Sequence, residues 1–161
     1  MLPPGISGVV PIAEMTGDDE EDSALLQKAY LEARSFLLAH KWCLGIGEAY
    51  FGAGLGGIVA VFLAAIDPVP TGVDEWLWVV VGDVPPAYLV LDDCPTPIAA
   101  LKAYIGLMRE WVALARDGIS SRKVIPVNVP STPENATMLQ DRLDTIANTI
   151  LPWLETEPTV Q

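Results

Sequence analysis

The stretch YFGAGLGGIVAVFLAAI, residues 50–66, runs for seventeen positions without a charge or a side-chain amide. Such a tract admits few solutions: a membrane span, a glycine turn that cradles a nucleotide, or sheet interior. Taken back to Leu44 it covers twenty-three residues with Glu48 as the one charge, long enough to cross about 30 Å of hydrocarbon. Six glycines, at 45, 47, 52, 54, 56 and 57, oppose a span, because each costs a helix about 0.8–1 kcal/mol relative to alanine. No Lys or Arg follows until Lys102, so the flanking charge that orients a span is missing.

Gly52-Ala53-Gly54-Leu55-Gly56-Gly57 satisfies GxGxxG literally. That fingerprint binds a dinucleotide only after a strand, at the start of a helix, inside a parallel βαβ unit. Here a helical pattern comes before it, and a short apolar run closed by Asp67-Pro68 comes after. Sheet is the remaining solution. Residues 58–66 read as a strand buried on both faces, and the glycines allow bulges and close backbone approach.

The flanking segments supply the rest of the fold. Leu25, Leu26, Ala29, Tyr30, Ala33, Phe36 and Leu37 recur at helical steps, which predicts a helix over about 23–40, led in by the acidic run GDDEED at 17–22. Apolar runs at 42–51, 57–66, 75–82 and 87–92 are divided by Gly and Pro and read as four strands. The last two are joined by DVPP as an antiparallel hairpin. Thr96-Pro97 and Thr132-Pro133 each pair a capping hydroxyl with proline at the first helical position, predicting two more helices. The first of these ends at Asp117-Gly118 and the second at Pro152, and KVIPVNVP between them reads as a short edge strand. The expectation is an α+β fold in the order α-β-β-β-β-α-α, with one mostly antiparallel sheet of four to five strands and about three helices. Residues 1–20 read as a flexible N-terminal arm, 21–154 as a single domain, and 155–161 as a loose tail.

Charge narrows the partners. Twenty-one acidic residues against nine basic ones give −12 and a pI near 4.2. A field of that sign repels nucleic acid and anionic lipid, so neither is an expected partner, and it favours a basic protein. A homodimer is the other assembly considered. Cys43 and Cys94 stand fifty-one positions apart and His40 is the one histidine, which leaves no ligand set for structural zinc and no metal or other cofactor to assign. The start MLPPGISGVVPIAEM lacks the basic region of a secretory signal, so the expected compartment is cytoplasmic, with both thiols reduced. His40 reads as a helix-end residue facing the negative pole of the dipole.

No residue set amounts to a reaction signature, and no catalytic residue is assigned. Glu48, alone among probable strand positions, must reach water, find a partner or take up a proton. Trp76 and Trp78 share one face of a strand, and the acids Asp74, Glu75, Asp83, Asp92 and Asp93 flank that hairpin. Aromatic centres with an acidic rim suit a protein interface. The stretch WVVVGDVPPAYLVLDDCPTPIAALKAYIGLMREW, residues 78–111, resembles segments of small uncharacterised bacterial proteins. That resemblance implies a bacterial origin and a self-contained domain, and it carries no functional residue. The leading expectation is therefore an acidic, non-enzymatic binding protein contacting its partner through Glu48, Asp74, Glu75, Trp76, Trp78, Asp83, Asp92 and Asp93. One concrete version is an immunity protein that neutralises a cationic toxin. The alternative is a small enzyme or ligand-binding domain with a pocket at the Gly-rich strands, using Glu48 and Asp83.

Overall fold

The computed structural model describes residues 2–156. The charge-free tract is a β-hairpin. Strand β2 (Ile46–Leu55) pairs antiparallel with β3 (Val59–Ile66), and every residue of β3 is buried. The turn between them needs Gly57, whose φ of +81° is costly for any residue with a Cβ. No helix among the described residues is long and apolar enough to cross a membrane. No helix follows the glycines either, so GxGxxG lies in a hairpin and lacks the strand–turn–helix setting of a dinucleotide site.

The sheet is an antiparallel meander in chain order. A short first strand β1 (Val10–Pro11) pairs with β2, and β3 pairs with β4 (Trp76–Gly82), which pairs with β5 (Ala87–Val90). Alternation along β3 and β4 sends side chains to two cores. Phe62, Ala64, Ile66, Leu77, Val79 and Val81 meet Leu26, Ala29, Ala33 and Leu37 of helix α1 (Glu20–Leu38). On the other face Val61, Leu63, Trp78 and Val80 share a core with Leu101, Tyr104 and Met108 of α2 (Pro97–Ala115). Helix α3 (Pro133–Thr145) packs on α2 and adds Leu139 and Leu143 to that core. Burying a side chain such as Phe62 or Leu63 in these layers contributes about 1.5–3 kcal/mol. The expected α+β architecture, with its sheet between helices, is the observed one.

The helix starts follow their capping chemistry. The Thr96 hydroxyl accepts from the Ala99 amide at 3.1 Å, the Thr132 hydroxyl from the Asn135 amide at 3.2 Å, and the Asp19 carboxylate from the Asp22 amide at 2.8 Å.

Three local expectations are corrected. KVIPVNVP forms no strand: Pro126 and Pro130 cannot donate to a ladder, and Val124, Ile125 and Val127 pack as coil against the α2 core. The fifth strand comes instead from Val10–Pro11, inside the segment read as an arm, and Val10 is buried there. The last helix does not stop at Pro152. A π-helical turn (Ile146–Ile150) opens the ladder, and Pro152 falls in the first turn of a new helix α4 (Leu151–Thr156), where a missing N–H is tolerated. Most of the tail read as loose lies outside the described residues.

Candidate functional site

The register decides which of the flagged residues meet. Glu48 is opposite Ala65, and Ala65 is opposite Trp76, so those three form one row across β2, β3 and β4. Leu77 pairs with Val90, which brings the acids entering β4, Asp74 and Glu75, to the same end of the sheet as those leaving β5, Asp92 and Asp93. All four are exposed. Asp83 lies beyond Gly82, which pairs with Val59 at the far end of β3. Seven residue steps, about 23 Å, therefore separate Glu48 from Asp83 along the strand direction. The carboxylate pair considered from the sequence is not assembled.

Glu48 is exposed and accepts the Tyr50 hydroxyl at 2.7 Å, and that bond holds the phenol's pKa above its ordinary value. Trp76 is half-buried, its ring 6.1 Å from that of Tyr50. Trp78 is fully buried with its indole N–H donated to the Cys94 carbonyl at 2.9 Å, so it belongs to the core and is not a contact for a partner. Asp83 takes the Arg142 Nε at 3.1 Å on the surface and lines a groove of 360 Å³ between the β4–β5 turn and α3.

A larger cleft, of 560 Å³, does lie at the Gly-rich strand. Gly8, Gly52, Gly54, Thr96 and Trp153 are among its walls. Neither Glu48 nor Asp83 reaches it. Gly52 is explained by packing: a Cβ there would stand 2.6 Å from the ring of Pro97, the first residue of α2. Three carboxylates line the cleft, Asp18, Asp22 and Glu155; Asp22 is committed to structure, taking the Gly56 amide at 2.5 Å and the Asp18 amide at 2.7 Å, and Glu155 pairs with Lys102 at 3.3 Å. Among the described residues no group of three His, Cys, Asp or Glu converges as metal ligands would.

What sequence reasoning missed is a ring cluster where α1 ends beside β5. His40 is its centre, with ring centroids 4.9 Å from Phe36, 4.9 Å from Trp42 and 5.3 Å from Tyr88, and Trp42 and Tyr88 are 5.1 Å apart. The His40 Nδ1 lies 2.9 Å from the Phe36 carbonyl, so the imidazole closes the C-terminus of α1 as a donor there. Phe36, His40 and Trp42 are half-buried. Tyr88 and Val90, on one face of β5, stand 38% and 43% exposed, and Leu44, two residues after Trp42 in the chain, is 74% exposed. The cause lies in the layering. Tyr88 is opposite Val79 and so faces the α1 side, but α1 packs mainly over β2, β3 and β4 and meets β5 through Phe36, whose ring centroid is 6.3 Å from that of Tyr88, so Tyr88 and Val90 stay partly exposed. The sequence signal was the alternation in Ala87-Tyr88-Leu89-Val90, whose outward positions are apolar where a solvated face would carry polar residues. Apolar and aromatic surface of this kind, next to the acids at 92 and 93, is what a protein interface presents.

No protein-family model, curated protein or solved structure matches the chain.

Proposed function

We propose that this chain is a non-enzymatic binding protein whose working surface is the aromatic step between the end of α1 and β5, rimmed by Asp74, Glu75, Asp92 and Asp93. Its partner is a basic protein. The observation that carries this reading is the four-ring cluster of Phe36, His40, Trp42 and Tyr88, left partly in solvent with Val90 exposed on the same face of β5 as Tyr88. Aromatic side chains are the usual energetic centres of interfaces, while acids at the rim set the encounter rate and the choice of partner. The surface thus moves inward from the flagged acids to rings that the sequence did not mark, and Trp78 drops out of it. Neutralisation of a cationic toxin by covering its basic site is the concrete activity this surface suits.

Affinity capture from the source cell at low salt tests the reading, using the wild-type chain beside a variant carrying Trp42→Ala, Asp92→Asn and Asp93→Asn. Basic proteins retained by the wild type and lost by the variant are the expected result. The same retained set for both chains, or a set without basic proteins, refutes it. If a retained protein is a nuclease, its inhibition by the purified chain tests the immunity version.

A further inference from the structure

The strand beside the ring cluster is an open edge. β5 pairs with β4 on one side, and among the described residues no backbone hydrogen bond from another segment reaches its other side. Because an antiparallel ladder uses the amides and carbonyls of alternate residues, two of the four residues Ala87–Val90 point both groups outward. An edge in that state is a template for a further strand. At the opposite edge β1 pairs with two residues of β2, Tyr50 and Phe51.

Resting on the binding surface above, we infer that β5 captures its partner by strand addition: an extended basic segment of another protein pairs with the outer edge of Ala87–Val90. Charge chooses the occupant. The chain carries −12, and Asp92 and Asp93 follow the strand directly, with Asp74 and Glu75 at the same end of β4. A second copy would bring an equal negative charge to that edge, whereas Lys and Arg side chains on an incoming strand would be drawn to it. The face of the added strand on the α1 side would lie beside Tyr88 and Val90, next to the wall of Trp42 and His40. Main-chain bonds then supply affinity, and the rings and acids supply selectivity, as in peptide recognition by β-augmentation generally.

The test uses the full chain, isotope-labelled, and a short synthetic peptide of alternating Lys and Val. Two further versions of the peptide carry N-methyl groups on one or the other set of alternate amides. Strand addition predicts that the outward amides within 87–90 become protected from solvent exchange on binding. It also predicts that one N-methyl series loses affinity by about tenfold or more while the other keeps it. Tyr88→Lys should abolish binding by repelling the basic strand, with the free protein's spectrum otherwise retained. If Trp42 and Tyr88 respond to the peptide while the edge amides stay unprotected, or if both N-methyl series bind equally, strand addition is overturned and the docking surface survives. If neither the rings nor the edge responds, both readings fail. Dimerisation of the free chain with protected edge amides would also overturn the inference, because the edge would then belong to a second copy.

Discussion

Replacing Asp22 should unfasten helix α1 from the glycine hairpin. Asp22 is the one buried charged residue among those described, and its carboxylate is shared between two backbone donors, Gly56 in the β2–β3 turn and Asp18 ahead of the helix. Its own amide is held by Asp19, and Ser23 Oγ accepts the Gly17 amide at 2.8 Å, so the helix start is a closed network around one side chain. A hydrogen bond to an ionised group contributes about 1.5–3 kcal/mol, and a donor that regains water on mutation recovers part of that. Asp18 is exposed and its amide can rehydrate, while Gly56 is half-buried, with Leu25 and Asp22 packed where its side chain would project. Asp22→Ala should therefore cost about 2–4 kcal/mol, and Asp22→Asn, which keeps one acceptor oxygen, about half as much. Urea unfolding with linear extrapolation reads both, at constant m-value. Glu21→Gln, one residue away and exposed, should stay within about 0.5 kcal/mol. A loss below about 1 kcal/mol for Asp22→Ala, or an equal loss for Glu21→Gln, would refute the network as described.

Further outcomes follow from the same packing. Gly52→Val should cost about 1–3 kcal/mol in thermal unfolding, because its Cβ would collide with Pro97, whereas Gly106→Ala, with nothing within 4 Å in mid-α2, should stabilise by about 0.5–1 kcal/mol. Burial pushes the Tyr104 phenol far above its usual range, and its hydroxyl donates to the Pro85 carbonyl at 2.5 Å. The folded state thus binds a proton that the unfolded state releases near pH 10. Stability should be full below that pH and fall by about 1.4 kcal/mol per pH unit above it, a slope that Tyr104→Phe removes in alkaline urea titrations. Burial likewise raises the Cys43 and Cys94 thiols, so native protein should resist thiol reagents that label both residues at once in urea.

How legible this was in the sequence depended on whether a feature was local. Thr96-Pro97 and Thr132-Pro133 start helices by chemistry confined to four residues, and both start where expected. The continuous apolar run at 59–66 and the Trp-rich strand specify burial on two faces wherever they sit, and both are interior strands. Features that needed a partner distant in the chain were hidden. Val10–Pro11 becomes a strand only because Phe51 and Tyr50 offer it an edge. Asp22 looked like one more acid in GDDEED until the Gly56 amide arrived from 34 residues away. The glycines at 52 and 56 are small for Pro97 and Asp22, neighbours that no spacing rule reveals. The ring cluster joins Phe36, His40 and Trp42 to Tyr88 across more than forty residues, whereas the flagged acids were visible because they border a strand.

Amide exchange of the free chain, resolved by residue, tests the whole account at once. The slowest amides should be those of β3 at 59–66, opening only with global unfolding, while within 87–90 fast and slow amides should alternate, the fast ones marking the bare edge. Rapid exchange through 59–66, or uniform protection along 87–90 in a monomer, would contradict both the sheet interior and the open strand on which the binding surface is built.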